Sequence, residues 1–189
     1  VPMRPIPVLV LCVLACAGTA PAADRPNFIF FITDDVSQAD LGCYGNAAIQ
    51  TPNLDRMAAE GIVFETAYLA ISSCSPSRCS TITGRYPHNT GAAELHTELP
   101  AGQPLFPKLL RDAGYYTVLS GKHHMGPNAD PAFELISLGK GPGKEEDWVE
   151  ILQNRPKDRP FFCWFASTDA HRSWNFDNNA PKYDPAKVN

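Results

Sequence analysis

Apolar residues in this chain occur in short runs, and helical patterns separate these runs from one another. Residues 27–33 (Asn-Phe-Ile-Phe-Phe-Ile-Thr) lack polar alternation, which is typical of a strand buried on both faces of a parallel sheet. Further strands are predicted at 62–69, 116–119 and 160–166. One helix is predicted to begin at Pro52, with Thr51 as its N-cap, and to end at Gly61, and others span 77–83, 105–113 and 144–154. Alternating strands and helices predict an α/β fold with a mostly parallel central sheet flanked by helices.

The first 23 residues follow the order of a secretory signal peptide. Arg4 is followed by an apolar stretch at 8–17 and by the small residues of the Ala-Pro-Ala segment at 20–22. The apolar stretch is shorter than the ~20 residues that span a bilayer, so we expect an exported rather than a transmembrane protein. A lipoprotein is the alternative, because the Val-Leu-Ala-Cys segment ending at Cys16 resembles a lipobox. Either reading predicts a periplasmic or secreted protein.

Composition narrows the possible functions. The 189 residues carry 16 Lys and Arg against 20 Asp and Glu, a net charge of −4, which argues against a nucleic-acid partner. The length equals one ordinary domain. Beyond the signal segment the chain has Cys43, Cys74, Cys79 and Cys163, whose pairing in an exported protein remains open.

Polar residues follow the ends of three predicted strands. Asp34 and Asp35 follow the first, Lys122 and His124 follow the third, and His171 follows the fourth with Asp169. Because ligands of open α/β sheets bind beyond the carboxyl ends of the strands, these side chains are expected to converge. The pattern therefore predicts a functional site without reference to any family.

Each of these groups also has a structural alternative. Asp34 and Asp35 repel each other unless a cation such as Ca²⁺ lies between them, or they cap a turn. Cys74 is either an activated thiolate near a helix N-terminus or half of a disulfide with Cys79. His171 is either a general acid or base or a structural histidine.

The loop at 121–126 (Gly-Lys-His-His-Met-Gly) has three readings. Lys122 and His124 suit an oxyanion, as one point charge with an imidazole donor. A transition-metal site on His123 and His124 is less favoured because adjacent side chains point apart in an extended segment. A solvated loop is the third reading.

Five segments together resemble the formylglycine-dependent sulfatases. Residues 74–78 (Cys-Ser-Pro-Ser-Arg) with 83–85 (Thr-Gly-Arg) are similar to the family's Cys-x-Pro-x-Arg and Thr-Gly signature. The other four segments are the strand with its Asp pair at 27–35, Thr-Pro-Asn-Leu-Asp at 51–55, the loop at 121–126 and Asp-Ala-His-Arg at 169–172. His123 replaces the family's Trp, and Ala170 replaces its Pro. Among the subfamilies the chain most resembles heparan N-sulfatase (sulfamidase), partly through 72–78, 159–162 and the late Tyr-Asp-Pro at 183–185.

The resemblance implies an alkaline-phosphatase-like fold and a mechanism. Cys74 is expected to be oxidised by a formylglycine-generating enzyme, and one hydroxyl of the hydrated aldehyde attacks sulfur while the other later expels sulfate. Asp34, Asp35 and the converted Cys74 are implied as Ca²⁺ ligands. Arg78 and Lys122 are implied to neutralise the sulfate. The resemblance further implies that His124 contacts the sulfate of a saccharide and that His171 protonates the leaving group.

The resemblance covers residues 25–189, yet the family's later metal ligands have no counterpart in them. We therefore expect residues 24–189 to be the N-terminal part of a truncated sulfatase catalytic domain, with Ca²⁺ short of its 6–8 oxygens. Alone, this fragment is expected to bind Ca²⁺ weakly and to show no turnover. One alternative is a phosphatase or phosphodiesterase of the same superfamily, and another is a non-catalytic exported relative.

Overall fold

The structure is a computed structural model that describes residues 25–171. The predicted signal segment, Cys16, Arg172 and the Tyr-Asp-Pro segment at 183–185 lie outside these residues. None of the helices between 25 and 171 is long and apolar enough to cross a membrane.

Four parallel strands form one sheet within the described residues. In chain order they are β1 (Phe28–Ile32), β2 (Tyr116–Gly121), β3 (Leu135–Ser137) and β4 (Phe161–Ala166). Their spatial order is β1-β4-β2-β3, with Phe28 opposite Phe162 and Thr117 also opposite Phe162 on the other side of β4. The prediction of an α/β fold with a parallel sheet is confirmed, and all four carboxyl ends lie at the same edge.

Between residues 25 and 171 the structure has five α-helices: α1 (Pro52–Glu60), α2 (Cys74–Thr83), α3 (Pro87–Thr90), α4 (Phe106–Asp112) and α5 (Trp148–Asn154). Three short 3₁₀ helices lie at Gln38–Asp40, Gly42–Tyr44 and Pro127–Ala132. Gly84 ends α2 in the left-handed conformation, as predicted. Thr51 stands at the N-cap of α1, but its hydroxyl donates to Asp55 Oδ1 at 2.8 Å instead of capping the helix.

The central strand β4 is buried on both faces. Phe162 and Trp164 belong to the larger core cluster, which also contains Ile82 of α2 and Leu119 of β2. The alternate residues, such as Phe165, pack in a second cluster against α5. Because successive side chains point to opposite faces, an uninterrupted apolar run fills both cores at once.

The prediction that the first strand is buried on both faces was wrong. Strand β1 pairs only with β4 and lies at an edge of the described sheet, where Phe28, Ile29 and Phe31 are exposed to 42%, 42% and 51%. Hydrophobicity predicted the strand correctly but carries no information on its place in the sheet order.

A strand at 62–69 was also predicted wrongly. The segment is irregular and pairs with none of the four described strands, and Ile62 and Tyr68 are 83% and 89% exposed. Tyr44 and Gln38 hold it instead, through hydrogen bonds to the backbone oxygens of Phe64 and Glu65. Smaller differences are that α2 begins at Cys74 rather than at 77, and that α5 begins at Trp148 rather than at 144.

Candidate active site

A cavity of about 540 Å³ opens where β1 ends and α2 begins. Asp34, Asp35, Cys74 and Arg78 all line it, and the remaining lining residues come from the segments around them. We call it the Asp34–Cys74 cavity. The structure thus brings together the predicted carboxylate pair, the predicted nucleophile and one predicted cation, although Asp35 and Cys74 are 39 positions apart in the sequence.

Asp34 is the buried charge at the centre of this site. Its carboxylate accepts a hydrogen bond from Lys122 Nζ, and its Oδ1 lies 3.8 Å from the guanidinium of Arg78. Asp34 is 5% exposed, whereas Asp35 is exposed and has a φ of 57°. With the Asp35 carboxylate in the same cavity, the two cations and two carboxylates balance in formal charge, so Arg78 and Lys122 can face an anionic ligand while the carboxylates face a metal ion.

Lys122 reaches Asp34 because of the way β2 ends. Gly121, at a φ of 97°, lies so close to the Ala166 backbone oxygen that any side chain there would clash with it. The Lys122 backbone N–H donates to the same oxygen at 2.9 Å. This close approach turns the chain at the carboxyl edge of the sheet and directs Lys122 towards the end of β1.

Arg78 is fixed from two sides. Its guanidinium, 2% exposed, donates to the Lys122 carbonyl at 3.0 Å and faces Asp34. Burial lowers the pKa of Arg78, while the Asp34 carboxylate opposes that change. Since arginine keeps its charge in proteins, the buried guanidinium remains a cation.

Cys74 is the first residue of α2 and is partly exposed, with Pro76 following in the first turn. Cys79, on the same helix, is fully buried in the core, and burial raises its pKa to about 11. Both are free thiols, so the structure contains no Cys74–Cys79 disulfide. Of the two, only Cys74 lines the cavity.

His124 and His123 have separate partners. His124 Nε2 lies 2.9 Å from His96 Nδ1, while His123 Nε2 lies 3.0 Å from Asp130. The two adjacent imidazoles therefore do not form one metal site. Burial lowers the pKa of His124, and the neighbouring charges of Lys122, His96 and Arg78 lower it further against the smaller effect of Asp34.

His171 is not among the residues that line the Asp34–Cys74 cavity. It lies beyond the end of β4, and its backbone N–H donates to Thr168 O at 3.0 Å. Asp169 packs against Gly143, where a larger side chain would overlap its carboxylate. The role of His171 stays a prediction.

His96 lies beside the cavity, although no sequence pattern predicted a site residue at this position. It lies in the loop after α3, outside every motif of the sequence. Its backbone N–H donates to Ser75 Oγ at 2.8 Å, which fixes it next to Cys74. Only the folded loop reveals this proximity.

Carboxylate oxygens on one cavity suit a hard cation such as Ca²⁺. Between residues 25 and 171, however, no three or more His, Cys, Asp and Glu side chains are grouped to hold a metal ion. Asp34 and Asp35 therefore fit as part of a metal site and not as a whole one.

Comparisons with known proteins show which family the chain belongs to. The sulfatase family profile matches residues 26–136. An N-acetylglucosamine-6-O-sulfatase of Bacteroides thetaiotaomicron is 33% identical over 89% of this chain and 35% of its own length. Human steryl-sulfatase is 42% identical over 64% of this chain and 22% of its own length. The chain thus spans about a third or less of these relatives.

The fold is also found in solved structures. A protein in complex with its substrate D-glucosamine-2-N,6-O-disulfate superposes with a TM-score of 0.70 and 32% identity, over 78% of this chain and 35% of that one. The predicted alkaline-phosphatase-like sulfatase fold is confirmed for the part described. The profile match covers more than half of the chain, and the chain belongs to the sulfatase family.

Proposed function

We propose that this chain carries part of the active site of an enzyme that hydrolyses sulfate esters of saccharides, with Cys74 converted to formylglycine. The observation that carries the proposal is the Asp34–Cys74 cavity. There the candidate nucleophile, two carboxylates and the buried Arg78 line one volume, with Lys122 bound to Asp34. A sulfate ester is an anion, and the cations favour its approach.

Each residue in or beside the cavity has a separate role in the proposed hydrolysis. Formylglycine at Cys74 would supply a hydrated aldehyde, of which one hydroxyl would attack sulfur and the other would later lose its proton and expel sulfate as the aldehyde re-forms. Arg78 and Lys122 neutralise the negative charge that develops on the sulfate oxygens. His124 contacts the sulfate, and His171 protonates the departing saccharide oxygen.

Asp34 and Asp35 would hold Ca²⁺, which supplies a Lewis acid for the sulfate oxygens when it is bound. Two carboxylates and the converted Cys74 provide fewer oxygens than the usual 6–8, so further ligands must come from other segments. This agrees with residues 24–189 being the N-terminal part of the catalytic domain, which remains a proposal. It also supports the expectation that these residues alone bind Ca²⁺ weakly.

The proposal also includes export of the chain and enzymatic conversion of Cys74 to formylglycine. Residues 1–23 would direct the chain to the periplasm or outside the cell, and a formylglycine-generating enzyme would read the segment around Cys74, Pro76 and Arg78.

We propose a sulfated amino sugar as the substrate. One relative is named for N-acetylglucosamine-6-O-sulfate, and a structural neighbour binds a glucosamine sulfated at both N2 and O6. The motif resemblance to sulfamidase favours the N-sulfate, whereas the names of the relatives favour the O-sulfate.

Glucosamine-2-N,6-O-disulfate tests the proposal, because it offers both kinds of sulfate in one molecule. The complete polypeptide containing this chain, co-expressed with a formylglycine-generating enzyme, should release one sulfate. Product analysis would show which one. Cys74→Ala and a Ca²⁺ chelator should each abolish release. Hydrolysis of a phosphate monoester without any sulfate release would contradict the proposal and favour a phosphatase.

A further inference from the structure

His96 and His124 form a hydrogen-bonded pair beside the Asp34–Cys74 cavity. Nδ1 of His96 lies 2.9 Å from Nε2 of His124, and the ring centroids are 5.0 Å apart. A hydrogen bond between two ring nitrogens needs one proton, so one ring donates and the other accepts. The identity of the donor determines the tautomer of His124.

Both histidines of the pair have a strained backbone conformation. His96 has a φ of 67° and His124 a φ of 55°, a conformation that residues other than glycine seldom adopt. Such backbone persists where the surroundings fix it. For His96 the surroundings include Ser75 of α2, whose Oγ accepts the His96 backbone N–H at 2.8 Å. The pair therefore connects the helix of Cys74 to the loop of Lys122.

The other ring nitrogen of His124, Nδ1, is available to a ligand. Nδ1 is buried and has no hydrogen-bond partner among residues 25–171. The charged groups around the ring are Lys122, Arg78 and Asp34, and their net effect with burial is to lower the pKa of His124. A neutral ring carries one proton, and an unpartnered buried Nδ1 is the position from which it can serve a ligand.

We propose that His96 is a positioning residue, whose Nδ1–H donates to Nε2 of His124 and thereby keeps the His124 proton on Nδ1. This inference rests on the proposed function, in which His124 contacts a sulfate. An Nδ1–H group can donate to an anion, whereas an Nδ1 lone pair would repel it. His96 thus enables the neutral imidazole of His124 to donate a hydrogen bond to an anion.

The first test needs no variant. In the ¹⁵N-labelled complete polypeptide at neutral pH, two-bond ¹H–¹⁵N correlations identify the protonated nitrogen of each imidazole. We expect Nδ1–H on both His96 and His124, with assignments from single substitutions of each. An Nε2–H tautomer at His124 would overturn the inference whatever the enzyme's activity.

The second test compares two isosteric substitutions. Asparagine and aspartate both tolerate positive φ, but aspartate only accepts hydrogen bonds when ionised, whereas the asparagine amide can still donate. His96→Asn should keep the Nδ1–H tautomer of His124 and most of the wild-type kcat/KM. His96→Asp should move the proton to Nε2 and lower kcat/KM by about 10-fold or more, as loss of an orienting partner does. Equal kcat/KM for the two variants with an unchanged tautomer would overturn the inference.

The activity assay uses the complete, converted polypeptide and glucosamine-2-N,6-O-disulfate, and circular dichroism checks the fold of each variant. If the wild type releases no sulfate but shows the Nδ1–H pair, the proposed function fails and the tautomer assignment stands. If it releases sulfate but shows Nε2–H at His124, only the role of His96 fails. If a variant does not fold, the wild-type tautomer alone decides.

Discussion

The guanidinium of Arg78 lies 3.8 Å from the carboxylate of Asp34, and the two side chains are 2% and 6% exposed. With Lys122 hydrogen-bonded to the same carboxylate, Asp34 is the counterion of two cations. Removing one partner of a buried ion pair lowers the stability of the fold by more than the intact pair adds to it, because the remaining charge is buried without a counterion. The charges of the cavity are therefore also part of its stability.

Removing the charge of Asp34 should destabilise the fold. Asp34→Asn leaves Arg78 buried without a counterion, so we expect the free energy of unfolding in urea to fall by about 3–5 kcal/mol. Asp35→Asn is the matched control, because this neighbour is exposed, and should change stability by less than about 0.5 kcal/mol. Equal stability of the two variants would show that Asp34 does not hold Arg78.

Substitution of Gly121 tests whether its close approach to the Ala166 backbone oxygen requires a glycine. Gly121→Ala places a methyl group against the Ala166 backbone oxygen. Gly45→Ala is the control, since Gly45 has nearly the same φ, 98°, but no atom within 4 Å of the added carbon. We expect about 1–2 kcal/mol of backbone strain for Gly45→Ala. The clash should add a further cost of about 1–3 kcal/mol for Gly121→Ala, measured by urea unfolding. Equal losses would mean that φ alone requires the glycine.

Thiol accessibility should separate the candidate nucleophile from the structural cysteines. In protein made without a converting enzyme, an alkylating reagent should modify Cys43 and Cys74, which are partly exposed. Cys79 and Cys163 are 0% and 1% exposed and should react only after unfolding. Peptide mass analysis after short exposure to the reagent measures this directly. Rapid native labelling of Cys163 would contradict the described packing of β4.

Stability should also decline in alkali because of Cys163. Burial raises the pKa of this thiol from 9.0 to about 12, with Arg155 acting weakly in the other direction. The folded protein therefore keeps a proton that the unfolded chain loses. The contribution is complete below pH 9.0 and is lost as the pH rises towards about 12. Cys163→Ala should reduce the slope of unfolding free energy against pH by up to about 1.4 kcal/mol per pH unit. An unchanged slope would contradict the raised pKa.

The sequence was sufficient for features that depend on local pattern. The strands ending at Ile32 and Ala166 and the helix ending before Gly84 each carry a continuous apolar run or a terminal glycine, and all three are present. The convergence of Asp34 with Lys122 was also predictable. Parallel strands place their carboxyl ends at one edge, however far apart the residues are in the chain.

Features that depend on neighbours were not predictable. Strand β3 has only three residues, too few to show a period, and residues 62–69 have strand composition but no strand beside them. The pairing of His96 with His124 depends on a loop conformation that no motif encodes. Hydrophobic pattern indicates which elements form, whereas their partners follow from the assembled sheet.

Conversion of Cys74 to formylglycine underlies the proposed function, and the mass of one tryptic peptide reveals whether it occurs. Trypsin should release residues 57–78, which contain Cys74 and end at Arg78. After co-expression with a formylglycine-generating enzyme, we expect this peptide to carry an aldehyde in place of the Cys74 thiol, while Cys79 and Cys163 remain thiols. An intact Cys74 thiol, in cells that convert a control sulfatase, would contradict it.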